Sequence, residues 1–93
     1  MQIGLLQLRV LVPDAMSLKD KRRAVKSLKD RIGHRFNVSV AEVGLLDSRR
    51  HSELGVAIVS NDSRFAESCL SKIVELVRAM VKLELLDYSI EVI

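Results

Sequence analysis

Residues 2 to 12 alternate between two sides with a period of two. The residues Leu6, Leu8, Val10 and Val12 share one side, and Ile3, Leu5, Gln7, Arg9 and Leu11 share the other. Alternation of this kind with branched side chains predicts a β-strand. Pro13 and Asp14 end the strand, because proline cannot donate to a sheet ladder.

A helical period begins after Ser17. We interpret Ser17 as the N-cap and Asp20, three residues later, as the carboxylate of a capping-box-like pair. The apolar residues behind them recur at helical spacing and predict one buried stripe: Leu18, Val25, Leu28 and Ile32. Gly33 closes the helix, or it continues through His34 and Arg35.

The second half of the chain continues with two strands, a helix and a last strand. Strands are predicted over residues 36–46 and 54–60, joined by the polar segment 47–53. Asn61, Asp62 or Ser63 caps a second helix. Its apolar positions are Phe65, Cys69, Leu70, Ile73, Val74, Val77, Met80 and Val81. In the last strand, residues 86–93, Leu86, Tyr88, Ile90 and Val92 alternate with Asp87, Ser89 and Glu91.

The order β-α-β-β-α-β predicts an α+β fold of the ferredoxin-like kind. Right-handed crossovers place both helices on one face of a four-stranded antiparallel sheet. The chain of 93 residues supports one hydrophobic core, so residues 1–93 form a single domain. Proteins with this fold have many different functions, so the fold alone does not identify the function of this chain.

The other face of the predicted sheet lacks the polar residues expected of a surface exposed to water. Ile3, Leu5 and Leu11 belong to that face, and the two middle strands are apolar on both sides. We therefore expect a homodimer that buries this face or a sheet edge, because large exposed apolar patches are unusual on monomers. The alternative is a small monomer with some exposed aliphatic side chains.

Positive charge is concentrated in residues 17–35. This segment holds eight Lys or Arg and two Asp and thus carries +6, whereas the whole chain carries +3. Arg22, Lys26 and Lys29 line up on the helix, with Lys19 and Arg23 beside them. They predict a surface for RNA phosphates, including those of ribosomal RNA, and Ser17, Lys19 and Arg22 are candidates to hold one phosphate at the helix start. The alternative is a solvated basic face or a dock for an acidic protein.

Catalytic and metal-binding patterns are missing from the sequence. His34 and His51 lack ligands at zinc spacing, Cys69 lies among apolar residues as a core thiol would, and no phosphate-binding loop occurs. We therefore expect a protein that is not an enzyme, with no cofactor, metal or small-molecule substrate. The aromatic residues Phe36, Phe65 and Tyr88 lie outside the two central strands, so base stacking on the sheet is not expected.

Two further features suggest a cytoplasmic protein. The chain has a single cysteine, as suits a reducing compartment, and its N-terminus lacks the features of a signal peptide. No apolar run approaches the length of about 20 residues that a bilayer requires.

Three blocks resemble the YlxP-like family of small bacterial proteins of unknown function. They are SLKDKR (17–22) followed by VKSL (25–28), RFNVSVAEV (35–43) and LGVAIVSND (54–62). The resemblance implies a ferredoxin-like fold. It also implies a gene often found between those of a translation initiation factor and ribosome-binding factor A, which favours a role near ribosome assembly or translation.

The loop after the second strand departs from the family pattern and is more basic. Gly44 stands where relatives have an acidic residue, and Arg49, Arg50 and His51 stand where relatives have Trp, Gln and Arg. Lys21 keeps the pattern but projects to the apolar side of the helix, which suggests a structural or buried-anion role.

Two functions remain open from the sequence. One is an RNA- or ribosome-associated binding protein, and the other is a dimeric structural or regulatory module that binds a protein partner. The candidate phosphate-binding residues are Ser17, Lys19, Lys21, Arg22, Arg23, Lys26, Lys29, Arg49 and Arg50.

Overall fold

The computed structural model describes residues 1–93 as one antiparallel sheet with two helices. In chain order the elements are β1 (Gln2–Leu11), α1 (Leu18–Arg35), β2 (Ser39–Gly44), β3 (His51–Ser60), α2 (Ser63–Arg78) and β4 (Glu84–Val92). The strands lie in the order β2-β3-β1-β4 and all pairs are antiparallel. The predicted ferredoxin-like α+β fold is confirmed.

The core lies between the sheet and the helices. The predicted inner side of β1 is confirmed, since Leu6, Leu8, Val10 and Val12 are all buried. On α1 the buried residues are Lys21, Val25, Leu28 and Ile32. Lys21 therefore occupies the first position of the apolar stripe, whereas Leu18 is only half-buried.

Both helices begin with an N-cap residue whose side chain accepts a backbone hydrogen bond. Ser17 Oγ accepts a hydrogen bond from the Asp20 N–H at 3.1 Å, as predicted for the N-cap. The Asp20 carboxylate accepts from the Met16 N–H at 3.0 Å, one residue earlier than in a standard capping box. Asp62, one of the three predicted candidates, caps α2 by accepting from the Arg64 N–H at 3.0 Å.

The predicted bounds of the middle strands were wrong. β2 is shorter than residues 36–46, and β3 begins at His51, within the segment predicted to be a polar loop. The reason is pairing with β1, because Leu11 lies opposite His51 and Arg9 lies opposite Glu53. Backbone hydrogen bonds do not depend on side-chain polarity, so the polar sequence concealed this part of the strand.

Four apolar positions also differ from the prediction. Phe65 lies beside the buried stripe of α2 and is exposed, and α2 ends at Arg78, so Val81 lies beyond the helix in solvent. In β4 an irregularity opposite Arg9 and Val10 shifts the register. Leu85 consequently packs against the core, while Leu86 and the edge residue Tyr88 are exposed.

Gly4 allows α2 to pack closely on β1. A Cβ atom at this position would lie 2.8 Å from Ile58 Cγ2 and 3.0 Å from Leu70 Cδ1. We expect Gly4→Ala to destabilise the protein by about 1–3 kcal/mol, because the core must shift to admit the methyl group. Urea denaturation measures the change. Gly33→Ala is the control, since a Cβ there meets nothing within 4 Å, and a neutral Gly4→Ala variant would contradict the predicted clash.

Candidate nucleic-acid interface

The cationic side of α1 faces solvent on the flank away from α2. Ala24, Ser27 and Arg31 face the turn after α2, with which they line a groove. Arg22, Lys26 and Lys29 lie on the opposite flank of the buried stripe by helical periodicity, toward the edge strand β2 against which α1 packs. Together with Lys19 they form a row that we call the basic ridge, and it extends about 15 Å along the helix axis.

Few of the cations in α1 are neutralised by acidic side chains. Of its eight Lys and Arg residues, only Lys21 and Lys26 have a carboxylate within 4.0 Å. The other six make no ion pair: Lys19, Arg22, Arg23, Lys29, Arg31 and Arg35. The helix therefore presents an excess of positive charge to solvent.

The Lys26 ammonium donates a hydrogen bond to Asp30 Oδ2 at 2.8 Å, one helical turn further on. This hydrogen bond raises the pKa of Lys26 and is also the largest cause that lowers the pKa of Asp30. Both side chains are more than half exposed, so solvent screens the pair and it contributes little to stability. Lys26 is thus the only surface cation of the ridge that is partly neutralised.

Lys21 is completely buried and has internal partners for its ammonium group. Its Nζ donates to Glu42 Oε2 at 2.9 Å and lies 3.0 Å from the Leu45 carbonyl oxygen. The Leu46 and His51 carbonyl oxygens are also within reach, each at 3.3 Å. Lys21 therefore holds the β2–β3 connection against α1. Its inclusion among the phosphate-binding candidates is corrected, because it has no exposed surface for a phosphate to contact.

The start of α1 already carries two polar caps. Ser17 Oγ and the Asp20 carboxylate take two of the free N–H groups of this region. An anion at the helix start would also meet the negative charge of Asp20. A phosphate contact by Ser17 stays a prediction, and the basic ridge is the more favourable surface for polyanions.

The β2–β3 connection brings two more arginines next to the start of α1. Arg50 Nε donates to the Ala15 carbonyl at 3.1 Å, and the Arg50 carbonyl accepts from the Val12 N–H at 2.7 Å. Arg49 is exposed and, like Arg50, makes no ion pair. The Arg50 side chain therefore lies beside the segment that leads into α1, and Arg49 is its exposed neighbour in the chain.

Arg31 and Arg35 belong to the basic segment but were not among the predicted phosphate-binding residues. With Arg23 and His34 they line a shallow polar depression on the outer side of α1, which also includes Lys26, Ser27 and Asp30. His34 Nδ1 lies 2.6 Å from the Asp30 carbonyl oxygen. Arg31 and Arg35 lie toward the C-terminal end of the 18-residue helix α1. Their place in that helix would have identified them as part of its basic surface.

Glu42 and Ser52 were also missed. Ser52 is buried and donates to Glu42 Oε2 at 2.6 Å, so the same carboxylate oxygen is shared with Lys21. A lone carboxylate in the apolar strand sequence VSVAEV, together with a lysine in an apolar stripe, was a detectable sign of a buried pair.

The remaining candidate chemistry lies in the core or is absent. Cys69 is buried, as predicted for a core thiol, and burial raises the pKa of its thiol and thus lowers its reactivity. No group of three or more His, Cys, Asp or Glu side chains is placed to hold a metal ion. Neither α1 nor α2 combines the length and apolar character of a bilayer-crossing helix.

Comparison with known proteins identifies relatives without an assigned function. Residues 3–90 match the family described as "Protein of unknown function (DUF503)". Over 82 residues, the chain is 30% identical to the uncharacterized protein YlxP of Bacillus subtilis (strain 168). The matched region covers 88% of this chain and 89% of that protein. The predicted resemblance to YlxP-like proteins is confirmed.

Proposed function

The chain belongs to the DUF503 family, and we propose that it is a non-enzymatic protein that binds RNA through phosphate contacts of α1. The observation that carries this proposal is the set of six cations of α1 without an acidic partner. Lysine and arginine gain affinity for nucleic acids by releasing counterions from the phosphates.

The proposed contact is with the phosphate backbone of the RNA and not with its bases. Tyr88 lies opposite Leu8, on the helix side of the sheet, and Phe36 and Phe65 lie outside the strands. The open face of the sheet therefore offers no aromatic ring on which a base could stack, unlike the sheets of RNA-recognition domains. Binding is expected to depend weakly on sequence and strongly on charge.

A cytoplasmic location and a role near ribosome assembly or translation belong to the same proposal. They are supported by the gene order that the family resemblance implies and by the suitability of ribosomal RNA as a dense polyanion. Arg49 and Arg50 are assigned as auxiliary contacts, because Arg50 is anchored to the segment that precedes α1.

Salt dependence tests the proposal directly. If α1 engages about five phosphates, affinity for single-stranded RNA falls roughly hundredfold between about 50 and 200 mM monovalent salt. Fluorescence anisotropy of a labelled unstructured RNA measures this change. No binding at low salt, or binding that is independent of salt, would refute the proposal.

Co-sedimentation with ribosomes from cell extract tests whether the ribosome is the polyanion that the protein binds. We expect the protein to pellet with ribosomes at low salt and to be released at high salt. If the protein binds an acidic protein in the extract but no purified RNA, the basic ridge is a protein dock and the RNA proposal fails.

A further inference from the structure

In β1 and β3, the sheet face that points away from the helices is apolar at one end. The register places Ile3 beside Val59, Leu5 beside Ala57 and Gln7 beside Gly55. Ile93 joins the first of these rows by exchanging two backbone hydrogen bonds with Ile3. Val59 is 67% exposed and Ile93 is 61% exposed. Aliphatic side chains grouped in this way on a surface favour an interface.

The same face is charged toward its other end. Arg9 lies between Glu53 of β3 and Asp87 of β4, and its guanidinium is 3.7 Å from the Glu53 carboxylate. Along β1 and β3 the rows therefore run from apolar, through small and polar, to a row that contains both signs of charge, and they end with Leu11 beside His51.

We propose that a second copy of this chain covers this face, related by a two-fold axis that runs parallel to the strands between β1 and β3. Such an axis places each residue of β1 over the β3 residue of the same row in the second copy. Ile3 then faces Val59, Leu5 faces Ala57, and Arg9 faces Glu53, and each contact occurs twice. The rows of β1 and β3 are therefore complementary to themselves in both hydrophobicity and charge, whereas Glu91 and Asp87 of the edge strand β4 lie over the other edge strand, β2, at the rim.

A two-fold axis perpendicular to the strands lacks this complementarity. An axis of this kind through the central row of Gln7 and Gly55 would place Leu5 and Ala57 over the charged row of Arg9 and Glu53. Charges removed from water without a partner of opposite sign are costly, so this arrangement is disfavoured. The order of the rows thus selects one orientation of the second copy.

The size and shape of the face suit a pair of packed sheets. Gly55, Ala57, Ala41 and Ser39 have small side chains or none at its centre, and the exposed Val43 lies against Gly55. Two packed sheets lie about 10 Å apart. Four strands at about 4.8 Å spacing and about 25 Å of length give roughly 500 Å² per copy. Two copies bury about 1,000 Å², the lower limit of a specific interface.

The mass in solution tests the proposal. We expect twice the chain mass of 10.4 kDa by light scattering at a chain concentration of about 100 µM, because association rises with concentration. Ala57→Glu is expected to give the single-chain mass, because its carboxylate would face Leu5 of the second copy without a partner. Ser71→Glu, on the exposed side of α2, is the control and should keep the wild-type mass.

A charge exchange tests the orientation and replaces Ala57→Glu if that variant does not fold. Arg9→Glu and Glu53→Arg alone each place like charges opposite one another and should raise the dimer Kd at least tenfold. The double variant Arg9→Glu/Glu53→Arg should return the Kd toward the wild-type value. A monomeric wild-type protein at this concentration, a dimer insensitive to Ala57→Glu, or a double variant no better than the single ones would overturn the proposal.

The dimer is separate from RNA binding. The basic ridge lies on the helix layer, on the opposite side of the sheet from the proposed interface. Variants of the interface should therefore change the mass while leaving the affinity for RNA of each chain intact.

Discussion

Lys21→Met is expected to destabilise the protein by about 3–5 kcal/mol, the usual cost of removing one partner from a buried ion pair. Methionine fills much of the volume of the lysine stem but cannot donate a hydrogen bond. The substitution leaves the Glu42 carboxylate, whose side chain is only 14% exposed, with Ser52 as its remaining side-chain partner. It also removes the donor that serves the carbonyls of Leu45 and Leu46.

Equilibrium urea denaturation followed by circular dichroism measures this loss, which is a large fraction of the stability of a small domain. Lys19→Met is the matched control, because it removes a cation from an exposed position of the same helix. The control is expected to lie within about 0.5 kcal/mol of the wild type. A Lys21→Met variant as stable as the control would show that the buried pair does not hold the β2–β3 connection.

A second variant separates the contributions of the pair. Lys21→Met/Glu42→Leu removes both charges, so the unpaired carboxylate no longer contributes to the loss. We expect partial recovery, since the Leu45 carbonyl still lacks its donor. Leu45 also has a positive φ of 58°, which a non-glycine residue adopts at a cost. The Lys21 hydrogen bond therefore stabilises an unfavourable turn in addition to pairing a charge.

Arg22→Glu/Lys26→Glu/Lys29→Glu is expected to abolish RNA binding at about 200 mM salt and to leave the domain folded. If five phosphates are contacted and three contacts are lost, the slope of log K against log salt falls from about −3.5 to about −1.4. The introduced glutamates also repel the phosphate backbone of the RNA. Anisotropy with the same RNA over a range of salt concentrations measures both the affinity and the slope.

The matched control reverses three cations on the other helix. Arg64→Glu/Lys72→Glu/Arg78→Glu changes the net charge by the same amount. Arg78 pairs with Glu75 at 3.3 Å, just as Lys26 pairs with Asp30, so each set contains one neutralised cation. The control should retain a salt slope close to that of the wild type. Equal losses in both variants would mean that net charge, and not the basic ridge, governs the binding.

The element order and the core followed from local patterns. The two-residue period of β1 identified its buried side, and the helical period of α1 identified Val25, Leu28 and Ile32. These patterns work because burial of one face imposes a fixed spacing on neighbouring residues. The concentration of charge in α1 was equally visible, since it depends only on composition along one segment.

The ends of elements were less predictable. The strand at His51 was hidden by its polar sequence, and the shift that buries Leu85 instead of Leu86 arises from an irregular pairing with β1. Both features depend on the partner strand, which the local sequence does not describe. The predicted apolar positions Phe65 and Val81 were wrong for a related reason, because the packing of α2 on the sheet decides where its stripe ends.

The sequence by itself determined the fold class, the inner faces of β1 and α1, and the location of the positive charge, because each of these is a property of neighbouring residues. Only the tertiary structure decided which cations are available to a ligand. Lys21 meets Glu42 across 21 positions of the chain, and Arg50 meets Ala15 across 35. It likewise decided that Arg9 lies beside Glu53, because the register between two distant strands aligns them.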